Sequence, residues 1–226
     1  MKRLNILQVF IAVFTLSMVT ISCSHEKEDV IEQEDNRALT KANEENADFI
    51  FNSINKIKYE TTKNNKGIEL NQETLDYYTK LLDLPKESVN LEMAEEIVKK
   101  VKLVMDNGIE EVLKGSDFSK YTTQKIEVLF SGGLINGIEE EKEFNLISAE
   151  EQKLLLTLNS IMIKSSEDIL VQNKRRGDCL LQGRPAPCAA VGAIAGAVLG
   201  FTICNWPCAV GGAIIGGIFG GLSDSK

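Results

Sequence analysis

The stretch CAAVGAIAGAVLGFTICNWPCAVGGAIIGGIFGGL, residues 188–222, carries no charged residue and decides how the chain is read. Glycines recur every four positions in each half: Gly192, Gly196 and Gly200, then Gly212, Gly216 and Gly220. Residues four apart share one face of an α-helix. Each half therefore presents a groove without side chains, against which another backbone can lie closely. Both halves read as glycine zippers. Asn205, Trp206 and Pro207 between them read as a turn, with Trp suited to a membrane interface, so the expected unit is a helical hairpin.

Nine glycines in this stretch make the hairpin costly in water, since each interior glycine costs about 0.8–1 kcal/mol relative to alanine. A bilayer compensates, because unpaired backbone groups in lipid are worse than a helix and close packing recovers dispersion contacts. Length argues the other way: Ala189 to Ile203 is a rod of about 22 Å against a hydrocarbon layer of about 30 Å. Two placements follow. The hairpin packs in or against a membrane, or it is buried as the core of a soluble domain.

Cysteines bracket the hairpin. Cys179, Cys188, Cys204 and Cys208 are an even number in a chain with export features, so disulfides are expected in one of three connectivities. Hairpin geometry favours Cys204 with Cys208 across the turn and Cys179 with Cys188 around Arg184, Pro185 and Pro187, because Cys188 and Cys204 would stand at opposite ends of one arm. Zinc is the weaker alternative, as the spacings lack two close pairs. No metal and no cofactor are expected.

Upstream, residues 41–173 read as an all-helical body. Phe49, Ile50, Ile54 and Ile57 mark a helix over 43–59. Asn71 caps a second, bearing Leu75, Tyr78, Leu81 and Leu82 and stopped by Pro85. Asn90 opens the clearest one, with Met93, Ala94, Ile97, Val98, Val101, Val104 and Met105 on one face and Gly108 at its end. Shorter helices follow over 109–113 and 122–130, the latter stopped by Gly132 and Gly133. Ser148 and Glu151 then form a capping box before Leu154, Leu155, Leu158, Ile161 and Met162. The fold class is thus all-α: a helical body followed by a Gly-rich, disulfide-pinned hairpin over 174–226. Lys174, Arg175 and Arg176 open that last segment, where they suit anionic headgroups or the dipole at a helix C-terminus.

Composition bounds the chemistry. The chain has 226 residues and a formal charge of −8, which disfavours nucleic acid as a partner because phosphate binding rests on clustered Lys and Arg. A single histidine, His25, removes Ser-His-Asp and Cys-His catalysis and His-based zinc sites unless it reaches a site from the start of the chain. Glu139 to Glu143 lacks the alternation of a calcium loop and reads as a solvated charged segment. Tyr77 and Tyr78 read as packing residues. No phosphate loop or glycosidase pair stands out, so no catalytic residue is assigned and an enzyme is not expected.

The start of the chain reads as an address. Lys2 and Arg3 precede an uncharged, apolar run from Leu4 to Ile21, which makes 1–22 a signal peptide. It ends in Thr20-Ile21-Ser22-Cys23, which resembles the bacterial lipobox, with Thr20 where Leu or Val is usual. The resemblance implies acylation of Cys23 and membrane lipid as a partner; ordinary cleavage at the same bond would leave a free thiol. Ser24 to Thr40 is charged and polar and reads as a disordered tether over 23–40. Its acidic residues resemble the surface-export signal of Bacteroidetes lipoproteins, which implies an outer-membrane lipoprotein facing outward; a plain spacer is the alternative.

Cys23 and the hairpin together resemble the 17 kDa surface antigen group of outer-membrane lipoproteins, which pair a lipobox Cys with small-xxx-Gly repeats. More loosely, the hairpin is similar to the Gly-rich helices of membrane-active bacteriocins. The first resemblance implies a structural or interaction role, with the hairpin in a membrane or associating with copies of itself. The second implies a toxin whose acidic body shields the hairpin. A soluble binding module with the hairpin as core is the third reading, and no protein partner is named by the residues.

Overall fold

The computed structural model describes residues 28–63, 70–81, 90–172, 178–181 and 184–222. Cys23, residues 1–22, Leu82, Pro85 and Lys174 to Arg176 lie outside them. The chain divides into two units, Met1–Arg37 and Ala38–Lys226. Of the first, residues 28–37 are described and are helical.

The described residues form eight α-helices: α1 (Glu28–Lys63), α2 (Gln72–Leu81), α3 (Leu91–Asn107), α4 (Glu110–Lys114), α5 (Lys120–Phe130), α6 (Ala149–Gln172), α7 (Cys188–Cys204) and α8 (Trp206–Leu222). Short 3-10 turns at Ile138–Glu140 and Phe144–Leu146 bridge α5 and α6. The expected all-helical body and helical hairpin are both present. One small exception lies between α6 and α7. There β1 (Asp178–Leu181) and β2 (Arg184–Pro187) pair antiparallel, with Cys179 opposite Ala186. Two prolines in β2 fit a two-stranded ribbon, whose outer edge needs no donors.

The tether expected over 23–40 is corrected from Glu28 onward, where the chain is already helical. Charge density suggests disorder, but residues 28–63 contain neither Gly nor Pro.

Caps set several boundaries. Asn71 Oδ1 accepts from the Thr74 amide at 2.9 Å, and Asn90 Oδ1 accepts from the Met93 amide at 2.8 Å. Gly108 ends α3 at φ 95°, which a side chain would strain. Ser148 and Glu151 form the expected reciprocal box at the start of α6. Glu151 does a second thing that the sequence did not disclose. Its Oε1 accepts from the Ser119 amide at 2.7 Å, while Ser119 Oγ caps α5 by accepting from the Thr122 amide at 3.1 Å. One buried carboxylate thus fastens the starts of α5 and α6 together.

The hairpin sits in the middle of the second unit. α3 packs on both α7 and α8, α6 does the same, and α5 lies against α6 and α7. Ile50, Ile54 and Ile57 of α1, the α3 stripe of Met93, Ala94, Ile97, Val101 and Val104, and Leu154 to Met162 of α6 share one apolar cluster with Ala190 to Leu199 and Cys208 to Ile218. The residues on both sides of the expected 173/174 boundary therefore belong to one compact unit.

Among the described residues no buried side-chain nitrogen or oxygen lacks a hydrogen-bond partner. Asn159 of α6 donates to the Ile135 carbonyl at 2.8 Å and accepts from the Ile135 amide at 3.1 Å, pinning the loop after α5. Asn159→Ala strands both backbone groups, so we expect a loss of roughly 1–3 kcal/mol for each group left unpaired, read as a lower midpoint in urea denaturation. Thr157 Oγ1 donates to Asn43 Oδ1 at 3.2 Å, and Lys164 pairs with Asp48 at 2.7 Å; both fasten α1 to α6.

Candidate functional site

The hairpin is zipped to itself. A Cβ built on Gly196 would lie 2.0 Å from the Gly212 carbonyl oxygen, and one on Gly212 would lie 2.1 Å from that of Gly196. Gly192 and Gly216 face each other in the same way at 2.2 and 2.1 Å, Gly200 faces the Cys208 carbonyl at 2.0 Å, and Gly220 faces that of Cys188 at 2.4 Å. All six zipper glycines thus stand where the partner helix's backbone leaves no room for a side chain. Gly217, outside that row, is different: a Cβ there would first meet Ile54 Cδ1 of α1, with the Ala189 carbonyl oxygen at 3.2 Å.

Two disulfide positions flank this ladder. Cys204 and Cys208 are bonded, with Cα atoms 5.5 Å apart. Cys188 is disulfide-bonded too, while the side chain of Cys179, its expected partner, lies outside the described residues. Between the arms Asn205 adopts φ 60°, a left-handed conformation that Asn tolerates. Its amide donates to the Phe201 carbonyl at 2.8 Å and its carbonyl accepts from the Ala209 amide at 3.0 Å, so one residue closes α7 and opens α8. Pro207 follows in the first turn of α8, where a missing N–H costs nothing.

Burial divides the hairpin into a covered shaft and an open tip. From Cys188 to Gly200 every residue but Ala189 is buried, as are residues 211–218. Thr202, Ile203, Cys204, Asn205 and Pro207 are exposed, and Phe201 and Trp206 are half-buried. Phe118 packs on Phe201 with ring centroids 5.4 Å apart, and Lys153 of α6 stands 4.1 Å over the Trp206 ring. Beside the tip an open groove of about 500 Å³ runs between α3, α4 and α7, lined by Leu103, Val104, Val112, Leu199 and Thr202.

Away from the hairpin, Glu141 is not simply solvated. Its carboxylate accepts from Lys125 at 2.5 Å and from the Tyr121 hydroxyl at 3.1 Å. The Lys125 bond holds the Glu141 carboxyl below its ordinary range, while burial, with Glu141 adding to it, pushes the Tyr121 hydroxyl upward. A carboxylate lowered in the fold stabilises above its unfolded-state pKa, and that contribution is lost as pH falls through the lowered value. Glu141→Gln should cost on the order of 1 kcal/mol at neutral pH, since the pair is only partly shielded from solvent. The gap to the parent should close in acid, as thermal melts at neutral and acid pH would show. Tyr78 packs on the core, but Tyr77 is 51% exposed and its expected packing role is corrected: its ring stands edge-on to Tyr78 at 5.3 Å.

Among the described residues no three His, Cys, Asp or Glu converge as a metal site, and no helix is long and apolar enough to cross a membrane. No family model, curated protein or solved structure matches the chain. The hairpin and its tip are therefore read from their own residues.

Proposed function

We propose that the protein is an exported lipoprotein, held in a bacterial outer membrane by acyl groups on Cys23, whose helical jacket carries a second, membrane-seeking element in its core. Its role is structural or interactive rather than enzymatic. The observation that supports this reading is the construction of the hairpin: it is uncharged, apolar on every side, and bound to itself through backbone contacts. A helix apolar all round belongs to a buried core or a bilayer. Close backbone contact offsets the helix cost of glycine in a protein core as in a bilayer. Internal zipping lets the two arms move as one body. It also engages the zipper faces within one chain, so self-association would use other surfaces, or the hairpin after it has left its jacket.

The burial of nearly all of the shaft favours a second reading, in which the hairpin stays as the core of a soluble binding lipoprotein. One experiment separates them. Residues 23–226 with Cys23→Ser, added to dye-loaded vesicles containing phosphatidylglycerol, should release dye, and amide exchange should show α3 and α6 losing protection while α7 and α8 keep theirs. Retained dye together with an unchanged exchange pattern overturns the membrane-seeking reading. A membrane-active toxin is the form this function takes if leakage occurs at low protein-to-lipid ratios.

A further inference from the structure

We infer that the open tip of the hairpin is itself a membrane-docking surface that engages an anionic bilayer interface with the fold intact. The inference shares with the proposed function only the membrane as partner, since it needs no release of the shaft. Phe201, Ile203, Trp206 and Pro207 form an apolar knuckle with no charge of its own, and Ile203 is 43% exposed. The Cys204–Cys208 bond and the Asn205 turn hold it in shape without help from lipid. Leu103, 52% exposed, continues the apolar surface across the neighbouring groove.

Charge complementarity names the occupant. The chain has a net charge of −8, yet two cations stand at this apolar surface: Lys153 over the Trp206 ring and Lys100 at the groove rim. Lys100 is paired with Glu96 at 2.7 Å, and Glu111 also lines the groove, so Lys153 carries most of the attraction. An indole beside an ammonium, with aliphatic groups projecting past them, matches the layering of headgroup and upper acyl region. A lysine near an anionic surface contributes about a fivefold gain in affinity.

Trp206 is the single tryptophan of the chain, so its fluorescence reports on the tip and nothing else. Residues 23–226 with Cys23→Ser are mixed with vesicles of phosphatidylcholine and phosphatidylglycerol. The expected result is a blue shift of Trp206 emission, quenching by lipids brominated near the headgroup end of the chain, and binding that strengthens with phosphatidylglycerol. Ile203→Asp should weaken binding by about tenfold or more with helical circular dichroism unchanged, and Lys153→Gln should flatten the dependence on anionic lipid. Leu146→Asp, which places the same charge at an 84% exposed apolar residue elsewhere, should bind as the parent does. Unshifted Trp206 emission with vesicles present overturns the inference, and so does equal weakening by Leu146→Asp and Ile203→Asp. A shallow blue shift without dye release upholds tip docking while the membrane-seeking shaft fails; dye release with an unshifted Trp206 does the reverse.

Discussion

Gly196→Ala is expected to lower stability by roughly 2 kcal/mol or more, although alanine is the better helix former. Helix propensity alone returns about 1 kcal/mol. Against it stands a Cβ placed 2.0 Å from the Gly212 carbonyl oxygen, with the Gly212 carbonyl carbon at 2.7 Å and the Gly216 Cα at 3.0 Å. Those atoms are backbone, so no rotamer change relieves the clash and the two helices must move apart along their length. Forced overpacking of a well-filled interior costs about 1–3 kcal/mol when neighbours can adjust, and more when they cannot. Gly115→Ala is the matched control, because its Cβ would meet nothing closer than 3.7 Å and its φ of −88° suits any residue. That variant should be neutral or gain a few tenths of a kcal/mol. Gly196→Ala and Gly212→Ala face each other across one contact, so the double variant should lose less than the sum of the two. Urea midpoints for the four variants, each against the parent, decide the matter, and equal midpoints for Gly196→Ala and Gly115→Ala would mean the helices are not in backbone contact.

The same row of glycines explains how much of the fold the sequence disclosed. A period of four is a local signal that survives whatever surrounds the helix, so hairpin, turn and zipper face were all readable from residues 188–222. Capping is equally local: Asn71, Asn90, Gly108 and the Ser148–Glu151 pair act within one turn and could be read directly. What could not be read was decided by distant packing. The stripe from Met93 to Val104 announces a buried face without saying what covers it, and the answer is α7 and α8. Both placements of the hairpin satisfy the same pattern, because lipid and protein interior are alike to an apolar helix. Glu151 reaching Ser119 and Glu141 gathering Lys125 and Tyr121 join residues far apart in sequence, for which no periodicity exists. The exposed tip is not legible in the sequence for a related reason. Trp206 and Pro207 were legible as a turn, but their openness to solvent depends on where α3 to α6 stop covering the hairpin.

A chain ending at Gln172 is expected to lose cooperative folding altogether. Removing α7 and α8 uncovers the inner faces of α3, α5 and α6, including Ile97, Val101, Val104, Ile126, Leu155 and Leu158, each almost wholly buried. Burial of one such side chain contributes roughly 1.5–3 kcal/mol, whereas the whole net stability of a domain is about 5–15 kcal/mol. The remnant should keep part of its far-ultraviolet helix signal, bind hydrophobic dyes and unfold without a sigmoidal transition, as a collapsed state does. A sharp transition near the parent midpoint would instead make residues 41–173 an independent domain. The dependence runs both ways and bears on function. Moving the hairpin from an apolar core to apolar lipid gains it little, while the jacket loses its cover. Transfer is therefore favourable only if the freed amphipathic faces, that of α3 foremost, find a new apolar partner by lying in the membrane interface. On the proposed reading, acyl groups on Cys23 would raise the local concentration of bilayer for that exchange, and a docked tip would set the point where it begins.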